Sequence, residues 1–181
     1  MKTRVKVHGI EKVLKKIERL ADPELKKQFA LWLEATGFEF LDIVQDEIIR
    51  LQVVDFRNLL NSFKKGDKDN VWAIKNGGLT LNIGTNLSYA KIVNDGHWTV
   101  KSSTPGAFEL KNGTLARWVP GKWNGSRFEY DPSSDTGMLL KQQWIEGQPY
   151  WDQAVAIFEK IFAASFERKF RQWIQSELGD G

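Results

Sequence analysis

Two histidines, His8 and His97, are all the imidazole the chain offers, and it has no cysteine. Disulfides, Cys-ligated zinc and thiol catalysis are therefore excluded. His97 stands in "NDGHW", where Asp95 could orient a general base. Neither histidine has a companion at metal-ligand spacing, however, and His97 reads as a loop residue. Asp42, Asp46 and Glu47 share one helical turn, and Asp42 and Asp46, four apart, read as a solvated face. Asp131 and Asp135 in "DPSSD" could touch a cation, but the oxygen spacing of a calcium loop is missing. "VPGKW" lacks the preceding glycine of a phosphate loop and has no Ser or Thr after Lys122. No nucleophile elbow or nucleotide fingerprint occurs. The inventory implies no catalytic residue, no cofactor site, no metal site and no enzyme.

Aromatic residues carry more information. Eight tryptophans in 181 residues is a high load. Trp98, Trp118 and Trp123, with Phe108, Phe128 and Tyr130, fall in a stretch rich in Gly, Ser and Pro. Tryptophan and tyrosine gather where one protein surface meets another. They also line glycan platforms and stack unpaired bases. The plainer reading is that they anchor an extension with little core of its own. These six residues are the expected subunit or partner interface.

The composition is that of a folded protein, 41% hydrophobic and 27% charged, with a net charge of +3. Lys15, Lys16, Lys26, Lys27, Lys169 and Arg171 alternate with Glu on helical segments, so they read as wet helix faces rather than a nucleic-acid stripe. The basic N-terminus has no uninterrupted apolar core and is not read as a signal peptide. No apolar run approaches the ~18 residues of a membrane helix. A single domain over residues 1–181 is expected.

Periodicity sets the elements. "KTRVKVH" alternates like a short strand, and Ile10, Val13, Leu14, Ile17 and Leu20 form an amphipathic helical stripe. Asp22 suits an N-cap and Pro23 the first helical position. The helix that follows is expected to reach about Val53, with Leu25, Phe29, Trp32, Leu33, Phe40, Ile43, Val44, Ile48 and Leu51 inward. At 1.5 Å per residue it is roughly 45 Å long, more than a compact core of this size needs. Asp55 caps one or two further turns. "VWAIK-NGG-LTLNIG" and "AFELK-NG-TLARWV" are hairpins turning on residues that accept positive φ. Residues 97–137 read as an enlarged β-hairpin arm. A last helix begins near Pro149 and ends before Gly179, with Trp151, Val155, Phe158, Phe162, Phe170 and Trp173 inward. Ile157, Ile161 and Phe166 widen its apolar face, implying contact on two sides. The class is α+β: two long helices packed on a small antiparallel sheet, with an extended β-hairpin arm.

One stretch, "NIGTNLSYAKIVNDG", resembles the signature of the tail-completion, or head–tail joining, proteins of long-tailed bacteriophages and prophages. In that family a strand ends in V-G-[TS]-N, followed by x-Y-A-x-x-V-E-x-G. The corresponding residues here are Ile83, Gly84, Thr85, Asn86, Tyr89, Ala90, Val93, Asn94 and Gly96, with Asn94 in place of the acid. "VVDFRNLLNSF" is similar to the family's P-V-D-T-G-x-L-R-x-S, matching at Val54, Asp55, Leu59 and Ser62. "GQPYWDQAVAIF" resembles its closing segment, an aromatic pair, Tyr150 and Trp151, leading into a helix. The likeness spans most of the chain outside residues 97–137.

The resemblance implies a structural virion protein that joins the tail tube to the head connector as a homo-oligomer, often a six-membered ring. It would be assembled in the host cytoplasm, with DNA passing through the lumen without specific binding and with no membrane contact. Gly84 and Gly96 would supply tight bends around a short apolar cover that Tyr89 anchors to the core. The rival reading is a non-enzymatic binding module whose aromatic arm takes glycan or single-stranded nucleic acid.

Overall fold

The computed structural model describes residues 23–53 and 56–178. It divides into two compact units, one built from the chain up to Asn94 and from Gln148 onward, the other from Asp95–Gly147. The strand and small helix expected over residues 2–20, the cap Asp22 and the motif residue Asp55 lie outside the described residues. The class is α+β with small antiparallel sheets.

In the first unit, helix α1 spans Pro23–Arg50 and helix α4 spans Tyr150–Leu178. Helix α1 stops three residues short of the expected end. The Val53 N–H donates to Ile48 O and the Gln52 N–H to Ile49 O, the paired bonds of a Schellman stop. Gln52 holds the left-handed position, φ +49°, that a glycine usually takes.

The apolar stripes of the two helices meet through rings. Trp32 lies 5.2 Å from Phe162 and Phe40 lies 5.1 Å from Trp151. Later positions on α1 thus meet earlier positions on α4, and the helices run antiparallel. Each such ring pair adds about 0.5–1.5 kcal/mol beyond its area burial. Helix α2 (Phe56–Ser62) contributes Leu59, fully buried in the same core.

Strands β1 (Asn70–Lys75) and β2 (Thr80–Thr85) pair antiparallel, Ile74 opposite Leu81, around a single 3-10 turn at Asn76–Gly78. Two glycines set this hairpin on α1. A Cβ on Gly37 would overlap Leu81 Cδ2 and lie 2.8 Å from the Trp72 ring, and one on Gly78 would overlap Ala30. The missing side chain at Gly37 lets the hairpin approach, at a helical cost of about 1 kcal/mol. After β2, Thr85 Oγ1 accepts the Leu87 N–H and the chain enters helix α3 (Ala90–Asp95). Gly84 is not a bend. It sits inside β2 opposite Val71, and the chain turns one residue later. Gly96, with φ +79°, is a bend.

In the second unit, strand β5 (Leu115–Asn124) is central. Its first half pairs with β4 (Ala107–Glu109) and β7 (Gly137–Lys141), its second half with β6 (Arg127–Tyr130). The change of partner falls at Gly121, where a Cβ would meet the Phe128 ring. Strands β3 (His97–Trp98) and β8 (Trp144–Ile145) form a separate antiparallel pair. Residues 138–147, outside the span expected for the arm, supply most of β7 and all of β8.

Candidate interaction surface

Among the described residues, none of the candidate catalytic groups is assembled into a site. His8 lies outside the described residues, and His97 belongs to β3 rather than a loop. Asp42 and Asp46 are exposed on α1, as expected of a wet face. Glu47 instead is buried, and Arg50 Nη2 meets it at 2.6 Å. The same Arg50 nitrogen also donates to Gln153 Oε1 on α4. Asp131 Oδ1 accepts from Ser133 Oγ at 2.6 Å and from the Ser133 main-chain N–H at 3.0 Å. Those bonds, the hydroxyl's first, with a smaller push from the Lys122 charge, hold its carboxyl below the usual range. The "DPSSD" loop is therefore closed on itself. Among the described residues no group of three His, Cys, Asp or Glu could hold a metal ion, and no helix is long and apolar enough to cross a membrane.

Residues of the "NIGTNLSYAKIVNDG" and "GQPYWDQAVAIF" motifs, Ala90, Val93, Asn94, Tyr150 and Trp151, meet at one junction of the first unit. Asn94, 4% exposed, accepts the Trp151 main-chain N–H on Oδ1 at 2.9 Å and donates from Nδ2 to Asp152 Oδ2 at 2.9 Å. Its amide thus caps the first turn of α4, where main-chain donors have no helical acceptor. Tyr150 Oη donates to Ala90 O at 3.1 Å. The Gln148 N–H donates to Val93 O, and Gln148 Nε2 donates to Leu51 O at 3.1 Å. Ala90, Tyr150 and Trp151 are buried in the main core, and Tyr89 and Val93 pack on it half-buried. Asn86 is exposed, its N–H donating to Asp69 O. These contacts hold together the two ends of chain from which the second unit departs and returns.

The aromatic set falls within the second unit. Trp98, Phe108, Trp118, Trp123 and Tyr130 are exposed, Trp118 at 53%, Trp123 at 59% and Tyr130 at 64%. Phe128 is half-buried beneath Trp123, ring centroids 5.3 Å apart and near edge-on. Phe108 opposes Ala116 and Trp118 opposes Leu139, and cross-strand partners share a face, so Phe108, Trp118 and Leu139 form one exposed apolar patch. The Trp118 indole lies against Gly137, where a Cβ would come within 2.7 Å of it. Leu139, Trp144 and Ile145 are exposed too and belong with this set. The short apolar run "MLL" and the Trp-Ile pair are the sequence signals for them, hidden by their closeness to the last helix.

A family model described as "Bacteriophage HK97-gp10, putative tail-component" matches residues 11–96. The match ends at Gly96, just inside the second unit. "Uncharacterized protein YqbI" of Bacillus subtilis (strain 168) is 50% identical over 175 residues, covering 96% of this chain and all of its own. "Phage-like element PBSX protein XkdI" of the same organism is 43% identical over 171 residues, 94% of this chain and 99% of its own. Both alignments cover too much of the chain to omit residues 95–147, so the second unit is shared with these relatives. No solved structure matches.

Proposed function

Since this chain belongs to the HK97-gp10-like family of bacteriophage tail components, we propose that it joins the phage tail to the head connector as a ring-forming, non-enzymatic virion protein. The observation that carries this reading is apolar surface left uncovered on each unit. Trp98, Trp118 and Trp123 are exposed on the second, and Leu31, Ile49, Ile157 and Ile161 on the helices of the first. Monomers rarely leave contiguous apolar patches bare, and such patches mark partner surfaces. In this reading the six aromatics Trp98, Phe108, Trp118, Trp123, Phe128 and Tyr130 contact a neighbouring subunit or the adjoining tail-tube or connector ring. The protein resides in the virion after assembly in the host cytoplasm, and six copies surround a lumen through which DNA passes. DNA in transit calls for weak, sequence-independent contact, and the balanced charge of the chain suits that.

The experiment replaces Trp118, Trp123 and Tyr130 together by serine and counts joined head–tail particles by electron microscopy. The count is expected to fall while the circular dichroism spectrum is retained. Undiminished joining would overturn the assignment of these residues. The exposed indoles also admit a glycan or single-stranded nucleic-acid platform. Tryptophan emission that shifts on adding oligosaccharide or oligonucleotide would favour that module, and unchanged emission the joining ring.

A further inference from the structure

The two helices of the first unit carry outward faces of opposite charge. On α1, Leu31, Phe38 and Ile49 are spaced by seven and eleven residues, which returns each to the same side of a helix of 3.6 residues per turn. Asp42 lies in that line, with Glu39 and Asp46 beside it, all exposed. From Gln28 to Ile49 the helix contains no Lys, Arg or His. Its own residues make this surface apolar and acidic over about five turns. Lys65, from outside the helix, pairs with Glu34 at 2.6 Å and lies 4.8 Å over the Phe38 ring, and Glu39, Asp42 and Asp46 leave the face acidic on balance.

On α4, Ile157, Ile161 and Ala164 form an exposed apolar line at spacings of four and three, continued by Arg168 and flanked by Lys160. The acid beside them, Glu167, is paired with Arg171 on the same helix at 2.6 Å. This face is apolar and basic. Both faces lie opposite the rings that pack α1 on α4, since Phe29, Phe40 and Val44 on one helix and Phe158, Phe162 and Trp173 on the other are buried.

From this complementarity we infer that the acidic apolar face of α1 in one copy docks on the basic apolar face of α4 in a second copy of the chain. An acidic face set against its own like repels, and so does a basic one, so the contact joins two different patches. Such a contact is heterologous, and repeated it closes a ring or runs on as a filament. Charge fixes which face meets which, and the isoleucines, Leu31 and Phe38 supply the buried area. The inference names the subunit contact of the ring proposed above and rests on that reading.

The test uses the full chain in two charge-reversed forms. One carries Glu39→Lys, Asp42→Lys and Asp46→Lys, the other Lys160→Glu and Arg168→Glu. All five positions are exposed, so each form should keep the wild-type helix signal and melting temperature, which circular dichroism checks. Sedimentation velocity at low salt, from micromolar to millimolar chain, should show the wild type self-associating. Each reversed form alone should associate at least about tenfold more weakly. Mixed in equal amounts the two forms should recover wild-type association, because every contact then pairs opposite charges in alternating copies. A wild type that stays monomeric, reversed forms that associate like wild type, or a mixture that recovers nothing would each overturn the inference. Failure there, alongside joining that is lost with the aromatic substitutions, leaves the joining role standing and removes only this contact. Undiminished joining in that assay removes only the aromatic residues from the interface, whereas heads and tails that join normally without the protein would overturn the larger reading whatever the sedimentation shows.

Discussion

The side-chain oxygen of Asn94 accepts the main-chain N–H of Trp151 at 2.9 Å, across 57 residues of sequence that include the whole second unit. The same amide donates to Asp152. The resemblance to tail-completion proteins expects an acid here, and the geometry explains what the amide does differently. A carboxylate could accept from Trp151 but could not donate to Asp152, and the two negative charges would face each other. Asn94→Ala removes a buried cap and is expected to destabilise the first unit by about 1–3 kcal/mol in a urea titration. Asn94→Asp keeps the acceptor and should still destabilise. Adding Asp152→Asn, which removes the repulsion and supplies a donor, should recover part of that loss. A double substitution no more stable than Asn94→Asp would show that the Asp152 contact contributes nothing.

Gly37 reverses the usual sign of a helix substitution. On an exposed helix, glycine to alanine stabilises by about 1 kcal/mol. Here the added methyl would overlap Leu81 Cδ2 and press on the rigid Trp72 ring, with Ile83 Cδ1 at 3.3 Å. Gly37→Ala is therefore expected to destabilise by about 1–3 kcal/mol, the range for overpacking a tight site. In a Leu81→Ala background one of the two obstructions is gone, and the penalty should shrink. Thermal unfolding of the four chains measures both steps.

How much of this was legible in the residues follows from which signals are local. The hairpin at Asn76–Gly78, the strand pair turning at Asn112-Gly113 and the inward ring positions of α4 all carry periodicity or turn chemistry within a few residues, and the structure has them. The stop of α1 was not legible, because Gln52 takes a left-handed conformation that sequence patterns assign to Gly or Asn. The extent of the second unit was blurred because Trp144 and Ile145 pair with His97 and Trp98, some 47 residues away. Pairing at that separation leaves no periodic trace. The exposed aromatics stand out in composition alone, whereas the polar junction of Asn94, Gln148 and Asp152 depends on contacts that only folding brings together.

The Asp131 carboxyl should stay ionised below the ordinary aspartate range, since Ser133 donates to it twice. Its folded pKa is lowered relative to the unfolded chain. The stabilisation it contributes is thus fully present above the unfolded value and is lost as pH falls through the folded one. Carbon-detected NMR titration of Asp131 should show this depression, and Ser133→Ala should move the value back up toward the ordinary range. A titration unchanged by Ser133→Ala would place the cause elsewhere.

Gly96 and Gly125 separate two costs that glycine replacements usually confound. Both have left-handed backbone, φ +79° and +60°. Gly125 lies in the turn between β5 and β6, and a Cβ there would meet nothing within 4 Å. At Gly96 a Cβ would stand 2.6 Å from Ile145 O, 2.7 Å from Gly147 N and 2.8 Å from the Trp144 ring. Gly125→Ala should therefore cost only the backbone strain, about 1–2 kcal/mol. Gly96→Ala must pay that strain and also force β3 from β8, so it should cost clearly more. Because Trp98 and Trp144 pack edge to face 5.3 Å apart beside Gly96, the same substitution should change tryptophan emission as Gly125→Ala does not. Equal destabilisation by the two would mean that the close approach of residues 144–147 to Gly96 relaxes without cost, and that backbone conformation alone requires the glycine.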